Sequence, residues 1–190
     1  MSYTLLEAVN RYIRFFGELP VSSIADEDER PLIVVQAIDA IDEANNEIQL
    51  IGLKANTEYE VNLVRDGNNE IVIPTNALYV ETEIDTSIDP VRRGTKLYDR
   101  KNKTYEFSKD LKAKVIYKLD FADLGKATQA YIIWTAIKNS VSEGDIEEFQ
   151  RASVGEIQAR KLFMRRESDR RNSNMLNHEE MRFVDHASKK

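Results

Sequence analysis

The strongest constraint on the fold is a double change in the spacing of apolar residues. Up to about residue 51 they recur every three or four positions, as on one face of an α-helix. From Thr57 to Leu119 they alternate with polar residues in short runs, which is typical of half-buried strands. Helical spacing returns from Lys126 onward. The chain is therefore predicted to be an α+β protein with a β module between helical segments.

The first helix has sequence signals at both ends. Thr4 is a suitable N-cap, and Glu7 three residues later completes a capping box. Gly17 can adopt the left-handed conformation that closes a helix, and Pro20 prevents the helix from resuming. Between these signals lies one apolar stripe, which consists of Leu5, Leu6, Val9, Tyr12, Ile13 and Phe16. We expect a helix that ends in a sharp corner.

Three more helices are predicted. The second should run from about Pro31 to Ile51 and the third, the most apolar, from about Lys126 to Val141. The fourth should begin at the cap residue Asp145, with an apolar face made of Ile146, Phe149, Ala152, Ala159 and Phe163.

Segments 1–56 and 120–167 are therefore predicted to form a four-helix bundle. The apolar face fades after about Met164, and a helix without such a face gains no stability from packing. We predict that residues 168–190 form a flexible C-terminal tail, or one that a partner orders.

The predicted β module covers residues 57–119, between helices two and three. Its succession of hairpins favours an antiparallel sheet. Residues 85–93 are predicted to be a loop, and residues 96–99 and 104–107 to pair as a hairpin.

The composition limits the classes of function that the chain can have. The 190 residues contain no cysteine, which excludes disulfides, thiolate metal sites and cysteine nucleophiles. No apolar run is long enough to cross a bilayer, and the N-terminus lacks the pattern of a signal peptide. We therefore expect no membrane association and synthesis in a cytoplasm.

The formal charge of −6 is unevenly distributed. Residues 160–190 hold nine Lys or Arg against five Asp or Glu, whereas the remaining chain holds 18 against 28. An acidic body argues against broad nucleic-acid binding, which requires clustered positive charge. The basic end is either a solvated terminus or a surface for a different partner.

Candidate catalytic groups are few. His178 and His186, the only histidines, lie eight residues apart in the polar tail, a spacing that does not favour zinc. No phosphate-binding loop, dinucleotide fingerprint or nucleophile elbow is present. We expect no catalytic residue, no metal and no cofactor. The alternative is a wall-degrading hydrolase that uses two of the many carboxylates as a pair.

Aromatic and basic residues interleave near residue 100. They could form a stacking platform for a single-stranded nucleic acid, or they could be cross-strand pairs with lysines at exposed turns. The residues concerned are Lys96, Tyr98, Arg100, Lys101, Lys103, Tyr105, Phe107 and Tyr117.

Several motifs together resemble the tail tubular protein A family, the head-to-tail adaptors of short-tailed (podovirus-type) phages. The first group is Ala8-Val9-Asn10, Gly17-Glu18 and Pro20-Val21-Ser22-Ser23-Ile24. The second is Gly94, Leu97-Tyr98-Asp99-Arg100, Lys103-Thr104 and Phe107. Similar matches follow at Asp120-Phe121, Asp123-Leu124, Tyr131-Ile132, Ala136, Glu156 and Ala159-Arg160.

The resemblance implies a structural protein of the virion tail and no enzyme. It implies a ring of twelve copies between the portal protein and a nozzle protein similar to tail tubular protein B. Genomic DNA would pass through the channel of the ring during ejection without specific binding, and tail fibres could attach nearby.

The resemblance also implies which residues bind partners. The basic end of helix four and the tail would bind the portal through Arg165, Arg166, Arg170, Arg171, Met175, Leu176, Met181 and Phe183. Contacts within the ring or with the nozzle would use Tyr98, Arg100, Lys103 and Tyr105.

Overall fold

The computed structural model describes residues 2–142 and 144–175. Within them it has four α-helices, a single-turn 3-10 helix at Phe121–Asp123 and five β-strands. The elements are α1 (Leu5–Phe15), α2 (Leu32–Leu50), β1 (Thr57–Leu63), β2 (Ala77–Thr82), β3 (Pro90–Arg93), β4 (Lys96–Asp99), β5 (Leu111–Tyr117), α3 (Lys126–Ser140) and α4 (Ile146–Met175). The strands pair antiparallel, so the α+β class is confirmed.

The chain divides into two compact units. The helical unit contains the residues up to Asn45 and those from Asp120 onward, and the β unit contains Asn46–Leu119. The boundary at Asn45 falls inside α2, so the last turn of that helix belongs to the β unit. The division into two units does not by itself show a four-helix bundle with an inserted β module, so that arrangement stays a prediction.

Helix α1 begins and ends at the predicted residues. The Thr4 hydroxyl accepts a hydrogen bond from the Glu7 backbone N–H at 3.2 Å, and the Glu7 carboxylate accepts one from the Thr4 N–H at 2.8 Å. Gly17 has φ +83°, as expected for the residue that ends a helix. The corner beyond it is held by Asn10, whose side chain makes two hydrogen bonds of 2.8 and 2.9 Å to the backbone of Val21.

Helices α3 and α4 pack closely around a glycine. A Cβ atom on Gly155 would lie 2.6 Å from Cδ2 of Trp134, so only glycine allows this approach. Farther along, the rings of Tyr131 and Phe163 stack with centroids 5.1 Å apart. The predicted apolar face of α4 is partly wrong, because Ile146 and Phe149 are 68% and 45% exposed while Ala152, Ala159 and Phe163 are buried.

Helix α4 extends to Met175, eight residues beyond Glu167, where the bundle was predicted to end. The extension, residues 168–175, has two Arg and one Met among weaker helix formers (Ser, Asp and Asn), so the helix continues after the apolar face has faded without high intrinsic helix propensity. Residues 176–190 lie outside the described part of the chain, and the prediction of a partner-ordered tail remains untested.

The β unit contains a three-stranded sheet of order β1-β5-β2 and a two-stranded ribbon of β3 and β4. The predicted loop at 85–93 is wrong in its second half, because 90–93 is β3. Strand β4 pairs with β3 across Gly94-Thr95, and residues 104–107 contribute only isolated bridges. Gly94 has φ +63°, which the first position of this two-residue turn requires.

Two buried amides connect the end of α2 to the end of β5 within the β unit. Gln49 donates to the Leu119 carbonyl at 2.9 Å and accepts from its N–H at 2.8 Å. Asn56 donates to the Tyr117 carbonyl at 2.9 Å and accepts from the Leu53 N–H at 2.8 Å. Because both side chains are buried, their amide groups need hydrogen-bond partners within the protein, and these backbone groups supply them.

We expect Gly155→Ala to destabilise the helical unit by about 1–3 kcal/mol, because the new methyl group would overlap the Trp134 ring. In an exposed helix the same change would stabilise the protein by up to about 1 kcal/mol. The sign of the change in unfolding free energy therefore shows whether packing against Trp134 or helix propensity has the larger effect. Urea denaturation measures the difference. Gly67→Ala, where a Cβ atom meets nothing within 4 Å, is the control and should change stability little. An unchanged or more stable Gly155→Ala variant would contradict the close approach.

Candidate partner-binding surface

A buried carboxylate organises the turn that follows β4. Asp99 is only 1% exposed. Its carboxylate accepts hydrogen bonds from the backbone N–H groups of Asp89 at 3.0 Å and Lys101 at 2.9 Å. It also accepts from the side-chain amide of Asn102 at 2.6 Å and from that residue's N–H at 3.3 Å. One side chain therefore fixes both the 99–104 turn and the segment before β3.

The hydrogen bonds to Asp99 outweigh the cost of burying it. Burial alone would raise the pKa of this carboxyl, but the bonds from Asp89, Asn102 and Lys101 together hold its pKa below the ordinary value of 3.8. Asp99 is therefore a charged structural centre of the turn.

Arg100 is held in place at the start of the same turn. Its Nε and one terminal nitrogen lie 2.9 and 2.8 Å from the same carboxylate oxygen of Asp89, while its backbone N–H donates to the Asp89 carbonyl at 2.9 Å. The pair is about half exposed, so its contribution to stability is small. Its effect is to present an oriented guanidinium at the surface.

Tyr98 and Tyr105 meet edge to face beside this turn. Their ring centroids lie 4.9 Å apart with an interplanar angle of 66°. The guanidinium carbon of Arg93 lies over the Tyr98 ring, 3.6 Å from its centroid. Lys103 is exposed at the tip of the turn, with φ +56°. Of the four residues predicted to contact the ring or the nozzle, Tyr98 and Tyr105 are thus in direct contact, and Arg100 and Lys103 lie on the turn between them.

Sequence reasoning missed Arg93 because the loop prediction included it. The signal was present, since Gly94-Thr95 is a two-residue hairpin turn with glycine at its first position. We call Arg93, Tyr98, Arg100, Lys103 and Tyr105 the aromatic–basic surface. Tyr, Trp and Arg are the residue types that most often dominate the affinity of protein interfaces.

The basic residues near this surface are largely engaged within the molecule, which does not favour the nucleic-acid alternative. Lys96 pairs with Glu70, Lys101 donates to the Thr86 carbonyl, and Arg100 pairs with Asp89. Arg93 covers one face of the Tyr98 ring, and the Tyr105 ring lies close to the Tyr98 ring. A stacking platform needs open ring faces and free cations.

Three carboxyls of the β unit have pKa values that do not suit the general acid of a hydrolase. A general acid needs a raised pKa. Hydrogen bonds instead lower the pKa of Asp66, chiefly from the Glu70 N–H, of Asp85, chiefly from the Lys109 side chain, and of Asp110, chiefly from the Arg65 N–H. Within residues 2–142 and 144–175, no three His, Asp or Glu side chains are placed to hold a metal ion.

The predicted portal-binding residues lie on α4 or beyond it. Arg165 and Arg166 are exposed on this helix. Arg170, Arg171 and Met175 continue its backbone. Leu176, Met181 and Phe183, like the two histidines, lie outside the described residues. No helix in the described part of the chain has the length and apolar character needed to span a bilayer.

The chain matches the model of a known protein family. A family model for tail tubular proteins matches residues 6–182, which include the helices, both sheets and the aromatic–basic surface. A search of curated proteins finds no match.

We expect Asp99→Asn to destabilise the β unit by about 2 kcal/mol. The neutral amide of Asn accepts weaker hydrogen bonds at this buried site, and its NH2 group would face backbone N–H groups that need an acceptor. Chemical denaturation measures the loss. Glu81→Gln, an exposed change in the same unit, should cost less than about 0.5 kcal/mol. Equal stability of the two variants would show that Asp99 does not organise the turn.

The pH dependence of unfolding tests the same carboxyl independently. Because the folded-state pKa of Asp99 lies below 3.8, its contribution is complete above that pH and is lost as the pH falls through the folded value. Asp66, Asp85 and Asp110 act with the same sign. The free energy of unfolding should therefore fall below about pH 4, and less steeply in Asp99→Asn than in the wild type.

Proposed function

Because the chain belongs to the tail tubular protein family, we propose that it is the head-to-tail adaptor of a short-tailed phage. Family membership makes it a structural protein of the phage tail, in a family that is not enzymatic and that assembles into tail oligomers. The match over residues 6–182 is the observation that supports the proposal. The adaptor role is more specific than family membership and is the part that we propose.

In this proposal twelve copies form a ring between the portal protein of the capsid and a nozzle protein similar to tail tubular protein B. The protein is made in the host cytoplasm and joins the virion at the head–tail junction, where tail fibres could attach. The ring extends the channel for genomic DNA. The acidic composition outside residues 160–190 supports passage without binding, since an acidic wall repels phosphates.

The aromatic–basic surface would contact a neighbouring copy or the nozzle. Four of its five side chains are already held in place, Arg100 by Asp89 and Tyr98 by Arg93 and Tyr105, so ordering them on binding would cost little conformational entropy. Binding would also bury Tyr105, which is 39% exposed in the isolated chain.

The basic end of α4, together with the chain that follows it, would bind the portal. Arg165 and Arg166 provide exposed guanidinium groups, and the apolar residues Leu176, Met181 and Phe183 follow in the sequence. Arginine forms bidentate bonds with carboxylates, so an acidic portal surface is the expected counterpart.

Electron microscopy of the purified protein mixed with portal-bearing capsids tests the proposal. We expect a ring at the tail vertex with the channel open through its centre. Capsids that lack the portal are the control and should acquire no ring. A protein found only along the tail, away from the portal, would refute the adaptor role while leaving its family membership intact.

A chain that ends at Met175 separates portal binding from folding in the same experiment. It retains the whole of α4 and should unfold at the same temperature as the full chain. We expect it to fail to join portal-bearing capsids. Normal rings from this shortened chain would show that the residues after Met175 are not needed for portal binding.

A further inference from the structure

Two helices of this chain carry exposed stripes of residues with the same spacing and opposite charge. On α4 the stripe consists of Val154, Ile157, Lys161 and Arg165, and we call it the apolar–basic stripe. On α2 it consists of Leu32, Val35, Asp39 and Glu43, which we call the apolar–acidic stripe. Each stripe follows the spacing i, i+3, i+7 and i+11, which keeps its members on one side of a helix.

The apolar–basic stripe lies opposite the buried face of α4. Ala152, Ala159 and Phe163 are buried. Val154 and Ile157 are 55% and 48% exposed. Apolar side chains that remain exposed next to one another on a helix commonly mark a binding face.

The apolar–acidic stripe has the same relation to α2. Val34, Ala37, Ile41 and Ala44 are buried on the opposite side of that helix. Leu32 is 72% exposed and Val35 is 36% exposed. The charged residues of the two stripes are Asp39, Glu43, Lys161 and Arg165. Among the described residues none of these four takes part in an ion pair.

We propose that the apolar–acidic stripe of one copy binds the apolar–basic stripe of the next copy, with the two helices parallel. In that register Leu32 lies against Val154, and Val35 lies against Ile157. Asp39 then lies against Lys161, and Glu43 against Arg165. Apolar residues meet apolar residues, and each carboxylate meets a cation.

The other pairings of these stripes fit less well. An antiparallel register would place Leu32 against Arg165 and Glu43 against Val154. Two α4 stripes in parallel would place like charges opposite each other, as would two α2 stripes, and such contacts are repulsive. Complementarity therefore favours a contact between different helices of two copies.

A contact of this kind is heterologous, so each copy uses α2 toward one neighbour and α4 toward the other. Heterologous contacts produce a closed ring when the rotation between copies closes. The contact itself is inferred from the stripes, and only its place in a ring at the tail vertex rests on the proposed function.

Charge exchange tests the contact. The first measurement is sedimentation velocity of the full-length protein at concentrations up to about 1 mM, at which a contact of only about 4 kcal/mol is half formed. The second is electron microscopy of rings on portal-bearing capsids. We expect Asp39→Lys to weaken self-association roughly tenfold or more, because an attraction becomes a repulsion, and Lys161→Glu to do the same.

Combining the exchanged charges is the decisive step. The double variant Asp39→Lys with Lys161→Glu should recover association, because every contact again joins opposite charges. An equal mixture of the two single variants should also associate, with the copies alternating. Failure of both rescues would overturn the proposed register.

A matched pair of substitutions tests the apolar half. Ile157 and Leu162 lie on the same helix and are each 48% exposed, but only Ile157 belongs to the stripe. Ile157→Asp should abolish association and Leu162→Asp should leave it unchanged, with both variants folded by circular dichroism. Equal behaviour of the two would overturn the proposal.

The outcomes separate this inference from the adaptor role. Rings at the tail vertex that tolerate Asp39→Lys and Ile157→Asp would refute the contact and support the adaptor. Copies that associate in solution through the stripes but never join the portal would support the contact and refute the adaptor. A wild-type chain that self-associates neither in solution nor on capsids would refute the contact.

Discussion

The close approach of α3 and α4 at Gly155 is the constraint on which the helical unit depends. A helix can lie against the Trp134 ring only where it lacks a side chain, so this one residue determines which side of α4 faces inward. Ala152, Ala159 and Phe163 become buried, and Val154 and Ile157 are left exposed. The face that packs and the face available to another copy are therefore consequences of the same contact.

The β unit depends on a different kind of interaction, a buried charge surrounded by donors. Asp99 joins the end of β4 to the segment before β3 and orients the start of the 99–104 turn. Next to this turn, Tyr98 contacts both Arg93 and Tyr105 before any partner arrives. A structural protein needs such order more than it needs reactive groups, because its function is to present the same surface in every copy.

Local chemistry explains the sequence predictions that were confirmed. Thr4 with Glu7, Gly17 and Asp145 act within a few residues of their own positions, and the structure shows each in its predicted role. Strand pairing depends instead on a choice between alternative partner segments. Residues 96–99 could pair with 104–107 or with 90–93, and the two-residue turn at Gly94 together with the buried Asp99 decides for 90–93.

The sequence by itself determined the α+β class, the ends of α1 and the family resemblance, because periodicity, caps and motifs are local properties. The tertiary structure alone decided that β1 and β2 both pair with β5, and that Ile146 and Phe149 are exposed. It also decided that Arg93 lies on Tyr98. Those outcomes depend on which distant surfaces meet, and the free energy of such contacts is not contained in any single segment.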